Sequence, residues 1–282
     1  MFEKWTYKLN ESMTIEQLLR EKWMVSRKAI HEMRMAKSIT NLSGEPLRWN
    51  EPLPPGTELT FHLPDASSSY IPEEECKLTI IFEDEHCLVV SKPKGMPTHP
   101  NAPNETGTAM NEVMAYIKNY GGEYAEHAHR LDSGTSGLLL IAKHPIAKGV
   151  FDRMLEEKKI VRTYEAEVKG QLKKDEGTVN AAIGRDRHHP TRRRVSPSGQ
   201  NAITHFRKIK VLKDSTIVHV TLETGRTHQI RVHMSHIGHP IIGDTLYGGP
   251  AQPDGYRLHA FKLEFIHPFT GKHLVIEDMK KQ

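Results

Sequence analysis

Asp132 is the acid whose setting most invites chemistry. It stands in His129-Arg130-Leu131-Asp132-Ser133-Gly134-Thr135-Ser136-Gly137, between a basic pair and a run of small turn-forming residues, and the apolar Leu138-Leu139-Leu140-Ile141 follows at once. A loop tied to a buried strand holds a side chain at a fixed point, and catalytic groups favour such places. An aspartate in a turn also has a plainer use as a turn cap, and the local residues alone favour that use. A second concentration is cationic. Arg185, Arg187, Arg192, Arg193 and Arg194 fall in one short segment with His188, His189 and Pro190, which reads as a loop. A charge run is ordinarily a solvated face, but arginine without lysine also suits phosphate, because the guanidinium fork matches its oxygens. The 18 histidines raise metal binding as a third chemistry. His233, His236 and His239 recur every three residues, and His127 and His129 form an HxH. His239, however, lies past Gly238, where the helix should stop, and neither a cysteine nor a paired carboxylate nor an HExxH completes a ligand set. A metal-dependent hydrolase is therefore disfavoured, and no metal site is expected.

These side chains need a body to hold them. Leu78 to Phe82 and Cys87 to Val90 are apolar and β-branched, hence strands, and Leu138 to Ile141 is a buried strand. Val113, Met114 and Ile117 give helical spacing to Met110–Tyr120, and Ala147–Leu155 suits a helix after Pro145. Strands are expected over Tyr164–Val168, Ala202–Val211, Ile217–Leu222, Leu258–Phe265 and Leu274–Ile276. A helix should run from about Thr227 to His236, stopped by Gly238. Within it Ile230, Met234 and Ile237 make the core stripe, and Arg231 sits at its edge, where a guanidinium can reach a buried site. Strands outnumber helices and do not alternate strictly with them, which predicts an α+β fold. Ahead of this body, Thr14 and Gln17 form a capping box before Leu18 and Leu19, a second helix starts at Ser26, and Ser43-Gly44 and Pro54-Pro55-Gly56 mark turns. The polar, proline-bounded stretch from Pro64 to Glu75 separates this small unit from the body.

The 282 residues suit one large domain with a small one. Hydrophobic residues at 37% and charged residues at 26% exclude a disordered chain. No apolar run approaches the ~18 residues of a membrane helix, and the start, Met1-Phe2-Glu3-Lys4-Trp5, lacks the apolar stretch of a signal peptide. A cytoplasmic protein with no membrane partner is expected. Cys76 and Cys87 form no CxxC pair, so nothing points to an oxidising compartment. The balance of 39 basic to 35 acidic residues is mildly basic, which is compatible with a nucleic-acid partner.

His129 to Lys143, HRLDSGTSGLLLIAK, resembles the signature segment of the RluA/RluD-type family of RNA pseudouridine synthases. Three other segments agree, in the family's order: Val89 to Pro100, VVSKPKGMPTHP; Arg162-Thr163-Tyr164-Glu165-Ala166 with Gly170; and Gly225-Arg226-Thr227-His228-Gln229-Ile230-Arg231-Val232-His233, followed by Gly238-His239-Pro240, Gly243-Asp244 and Tyr247-Gly248. Together they span Leu78 to the C-terminus. The small unit is similar to an S4 RNA-binding domain, with Ala36-Lys37-Ser38 where that family usually has a glycine. Arg27, Lys28, Arg34 and Lys37 are its candidate RNA contacts, or simply a wet basic face. The resemblance implies an S4-like α/β unit over residues 1–63, a linker over 64–76 and a catalytic domain over 77–282. The catalytic domain would have the pseudouridine synthase fold, a mixed, largely antiparallel central sheet with flanking helices.

It also implies a reaction. Making pseudouridine breaks the N1–C1′ bond, turns the uracil and joins C5 to C1′, work suited to a carboxylate that attacks the sugar or stabilises its cationic character. No cofactor or metal is required. By resemblance Asp132 is that carboxylate, Arg231 the cation beside it, and Tyr164 the residue that stacks on the uracil and helps move the C5 proton. Ile230 would form part of the apolar floor under the base. Arg130 would fill the space left by the flipped nucleotide or hold a flanking phosphate. Lys92 contributes to the basic rim or supports the fold. The expected partner is RNA, ribosomal rather than transfer, and the expected state a monomer. The alternative is an RNA-binding protein without catalysis, which would have no need of Asp132, Tyr164 and Arg231 together.

Overall fold

The computed structural model describes residues 4–62 and 66–279. Met1 to Glu3, Lys280 to Gln282 and the Leu63-Pro64-Asp65 junction, where the linker was expected to begin, lie outside the described residues.

The N-terminal unit starts with a strand that its sequence did not announce. In β1 (Lys4–Lys8) only Trp5 and Tyr7 are apolar and alternate with exposed polar residues. It pairs antiparallel with β3 (Glu58–His62), and β3 pairs on its other side with β2 (Ile39–Thr40). Thr14 caps α1 (Ile15–Gln17) with the expected capping box, and the chain runs on as one π-helical turn, Leu18–Lys22. Ser26 caps α2 (Arg27–Met35), which buries Ile30 and Met33. The unit is welded to the body through an aromatic cluster. Trp5 stacks on Phe61 at 4.3 Å and meets His86 edge-on at 4.7 Å and Phe269 at 5.3 Å. The Trp23 indole N–H donates to the Pro268 carbonyl at 3.1 Å. Aromatic burial of this kind supplies most of an interface's energy.

Residues 66–78 have no regular structure, but they are fastened to the body. Ser68 hydrogen-bonds Ala125, Asn111 donates to the Ile71 carbonyl, and the Tyr70 hydroxyl donates to Glu126.

The body contains β4 (Thr79–Glu83), β5 (Cys87–Lys92), α3 (Ala109–Asn119), β6 (Glu126–His127), β7 (Ser136–Ala142), α4 (Pro145–Glu156), β8 (Val161–Lys169) and β9 (Glu176–Asn180). A hairpin of β10 (Ile183–Arg185) and β11 (Arg193–Val195) follows, then β12 (Ile203–Val211), β13 (Ser215–Leu222), α5 (Gln229–His236), β14 (Leu258–Ile266) and β15 (His273–Glu277). Ten strands form one mixed sheet in the order β4-β5-β7-β14-β8-β13-β12-β9, with β15 on β14 and β6 on β7. The fold is α+β as expected. Every pairing in this sheet is antiparallel except β7 with β14, which meet through only two residue pairs, His259 with Ser136 and Ala260 with Gly137. Gly137 is required there: its φ is +114° and a Cβ would lie 2.2 Å from the Ala260 carbonyl oxygen. The apolar cores divide at this seam. Leu138, Leu140 and Ala142 of β7 pack with α4 and the N-terminal unit. Tyr164, Ala166 and Val168 of β8 pack with Ile230 and Met234 of α5. No helix among the described residues is long and apolar enough to cross a membrane.

Candidate active site

The Asp132 loop is fixed by the segment that precedes α3. The Thr98 hydroxyl donates to the Leu131 carbonyl at 2.8 Å and accepts from the Leu131 amide at 3.0 Å. The Gly95 amide donates to the Ser133 carbonyl at 2.9 Å, and the Ser133 hydroxyl donates to the Gly95 carbonyl at 2.9 Å. Asp132 itself accepts from the Thr135 amide through its backbone carbonyl at 2.9 Å, so the turn closes without using the side chain. The turn-cap reading of the carboxylate is thereby removed.

Lys92 corrects one expectation. It is fully buried, and its ammonium donates to the carbonyls of Pro93, Met96 and Ser133 at 2.9, 2.7 and 3.2 Å. It cannot belong to a basic rim, because no part of it reaches solvent. Its role is the other one, clamping the two loops beneath Asp132. Burial pushes its pKa down to about 8, against the opposing pull of the Asp132 charge.

Asp132, Tyr164 and Arg231 come from the loop before β7, from β8 and from α5, and line one cavity of about 350 Å³ together with Arg130, Ile230 and His228. The Asp132 side chain is 19% exposed, and its Oδ2 lies 3.4 Å from Arg231 Nη1 and 3.8 Å from His228 Nε2. Tyr164 is buried, and burial raises its phenol pKa. Ile230 is buried too, serving both the core and the cavity wall. Arg130 is exposed.

The setting of Arg231 was not legible in the sequence. Its Nε and Nη2 donate to both oxygens of Asp244, at 2.7 and 2.9 Å. Its guanidinium is stacked between two rings, 5.0 Å from the centre of Tyr247 and 4.4 Å from that of Tyr256. Burial opposes the charge of Arg231, but the Asp244 bonds outweigh it and hold the pKa above the ordinary arginine value. Burial also pushes the Tyr256 phenol up to about 12. Asp244 is held in turn: its amide bonds the Ile241 carbonyl and its carbonyl accepts from Gly249. At the adjacent Gly243 (φ +87°) a Cβ would meet the Gly255 carbonyl oxygen at 2.2 Å. The Gly243-Asp244 and Tyr247-Gly248 pairs were the available signal for this clamp. Tyr256 carried none.

The arginine segment is a hairpin, not the loop expected. Gly184 pairs with Arg194 and Arg185 with Arg193. The strands of three residues are too short to show alternation. Arg185, Arg187 and Arg194 are exposed, Arg192 is paired with buried Asp186 at 2.6 Å, and Arg193 is half-buried. Val232 of α5 packs against Ile183, Val195 and Tyr247, which seats the hairpin on the helix that carries Arg231.

His233 of α5 is structural: it bonds the Thr204 hydroxyl and the Ala181 carbonyl at 2.8 and 2.9 Å. Asp84, Cys87 and His267 bring three ligand-type atoms together. There the Asp84 carboxylate accepts from the amides of His86 and Cys87 and lies 3.0 Å from His267 Nε2, so its oxygens find partners within the protein.

Known proteins resemble this chain in sequence and in fold. The family model described as RNA pseudouridylate synthase matches residues 86–236, and that of the RluD ribosomal pseudouridine synthase N-terminal domain matches residues 4–59. The RNA pseudouridine synthase YhcT of Bacillus subtilis is 45% identical over 227 residues, covering 79% of this chain and 75% of that protein. Ribosomal large subunit pseudouridine synthase D of Nitrosomonas europaea is 41% identical over 215 residues, 72% of this chain and 62% of that one. The solved structure of human RNA pseudouridylate synthase domain containing 1 superposes with a TM-score of 0.59 at 24% identity, covering 72% of this chain and 84% of that one, which shows the shared fold.

Proposed function

The chain belongs to the RNA pseudouridylate synthase family, and from that premise we propose that Asp132 is the carboxylate with which it isomerises uridine in ribosomal RNA. The enzyme is an isomerase acting on RNA. The observation that carries the residue assignment is the convergence of Asp132, Tyr164 and Arg231, from three separate elements, on one cavity.

Asp132 assists the departure of uracil from C1′, by attack or by charge stabilisation, and Arg231 sets a positive charge beside it at 3.4 Å. The N1–C1′ bond breaks, the freed base turns, the C5–C1′ bond forms, and one proton leaves C5 while another is gained at N1. Tyr164, beside Asp132, stacks on the base while it turns and helps move the C5 proton, and Ile230 supplies apolar wall. Arg130 at the mouth holds the strand from which the uridine has flipped, a step that costs a few kcal/mol. Arg185, Arg187, Arg192, Arg193 and Arg194 present the hairpin to phosphate.

Ribosomal RNA is favoured over transfer RNA by the match of residues 4–59 to the RluD N-terminal domain and by the relative named for the large ribosomal subunit. We read residues 1–63 as an S4-like RNA-binding unit, 64–76 as its connection and 77–282 as the catalytic domain. The catalytic set is complete within one chain, which suits a monomer, and a cytoplasmic address goes with ribosomal RNA as the substrate. The test is a pseudouridine map of cellular RNA with and without the protein, restored as wild type or Asp132→Asn. A site that depends on the wild type and is not restored by the variant supports the reading. A site fully restored by Asp132→Asn refutes it.

A further inference from the structure

His228 is expensive where it stands. It precedes α5 with φ +60° and ψ 19°, in the left-handed region, which costs a non-glycine residue roughly 1–2 kcal/mol. It does not recover that cost by capping the helix, since its side chain makes no cap bond. Gln229 does the local bonding instead, accepting from the Arg226 amide and the Thr224 hydroxyl. A strained residue whose side chain does not cap its helix and lines the wall of a cavity is a candidate for a functional one.

Its bonds favour one placement of its protons. The Tyr247 hydroxyl accepts from the Arg193 amide at 2.9 Å and lies 2.8 Å from His228 Nδ1. A phenol has one proton to give, and with an amide already donating to its oxygen that proton is best placed on the line to Nδ1. His228 Nδ1 is then the acceptor, and the ring carries its own proton on Nε2. Nε2 is the atom that faces Asp132 Oδ2, at 3.8 Å.

We infer that His228 is a positioning residue for Asp132: its Nε2–H and Arg231 Nη1 hold Oδ2 from two sides and leave Oδ1 to the sugar. The inference rests on Asp132 being the reactive carboxylate. At 3.8 Å the contact is longer than a hydrogen bond, and donors of this kind close up when substrate is bound. An imidazole suits the place better than a second cation. Arg231 is already paired at short range with Asp244. Burial lowers the His228 pKa, with Asp132 opposing, so the ring donates without neutralising the carboxylate.

Two substitutions separate this role from a structural one. His228→Asn keeps a residue that tolerates the left-handed backbone but is too short to reach Asp132. His228→Gln extends an amide N–H to about the position of Nε2. Tyr247→Phe keeps a ring against Arg231 and removes the hydroxyl that sets the tautomer. The probe is total RNA from cells lacking the protein, tritiated at uridine C5, with tritium release followed under enzyme excess and RNA affinity measured separately. His228→Asn should release tritium about 10- to 100-fold more slowly with affinity within about 2-fold, His228→Gln should recover most of the rate, and Tyr247→Phe should fall between them. A wild-type rate for His228→Asn, or a His228→Gln no faster than a folded His228→Asn, overturns the inference. If His228→Asn does not fold, a wild-type rate for Tyr247→Phe overturns it. Asp132→Asn is the control. If it is inactive while His228→Asn is fully active, this inference alone fails; if it is active, the reading beneath it fails too.

Discussion

Removing the charge of Asp244 should unfold the protein more readily than removing that of Asp132, although Asp132 is the residue we propose as the reactive one. Arg231 is almost entirely buried and has two carboxylate partners. Asp244 meets it with two short bonds and is 2% exposed, whereas Asp132 meets it once at 3.4 Å and is 19% exposed. Taking away one partner of a buried pair costs roughly 3–5 kcal/mol, because the other charge is left without compensation. In Asp244→Asn the guanidinium can fall back on Asp132, so the loss should sit near the low end, about 3 kcal/mol. In Asp132→Asn the bidentate pair survives, and the loss should stay within about 1 kcal/mol. The double variant strands the guanidinium and should lose more than the sum, by about 1–2 kcal/mol. Urea titrations followed by circular dichroism, with stability taken from the midpoint and slope, measure all three. Activity should order them differently, with Asp132→Asn inactive and Asp244→Asn slowed. An Asp244→Asn loss below about 1 kcal/mol, or an Asp132→Asn loss equal to it, would refute Asp244 as the principal counter-ion.

Acid should destabilise the fold early. Burial holds His86 and His127 down to about 4 and His129 and His144 to about 3. With folded pKa values below the unfolded ~6.5, their contribution is complete above that pH and is lost as pH falls from there toward 3. The slope is up to about 1.4 kcal/mol per pH unit for each proton, and a urea midpoint that stays flat between pH 7 and 5 would contradict it. Lys92→Met should cost about 3 kcal/mol in the same titration, because three buried carbonyls lose their donor; a loss under about 1 kcal/mol would show that the clamp is dispensable. Arg187→Ala with Arg194→Ala should reduce the slope of log affinity for ribosomal RNA against log salt by between about 1 and 2, with stability unchanged, and an unaltered slope would remove the hairpin from the RNA interface.

What could be read from the sequence was what repeats or what is long. The buried strand after Asp132, the helix over Ala109–Asn119 and the capping box at Thr14 all follow from periodicity or from a local bond. β1 and the β10–β11 hairpin were missed because their pairing partners, and not their own residues, define them. At the site the same division holds. Asp132 was marked by its turn, and the resemblance supplied Tyr164 and Arg231. The Asp244 carboxylate and the Tyr247 and Tyr256 rings that hold Arg231 depend on where the chain folds back on itself, which no local pattern records. Lys92 was read outward when it points inward, since a lysine satisfied by three carbonyls looks in sequence like any surface lysine.

The two-pair seam between β7 and β14 bears on when the enzyme can begin to work. Asp132 lies on one side of it and Tyr164 and Arg231 on the other, and the strand that joins the halves starts only at Leu258. A chain emerging from the ribosome can complete β4, β5 and β7, and then β8 with β12 and β13, as separate units. It cannot bring the carboxylate to its arginine until β14 has emerged. We expect chains that end before β14 to bind RNA and modify none, which ribosome-arrested truncations assayed for tritium release would establish. Chemistry would thus wait for the strand that joins the two halves.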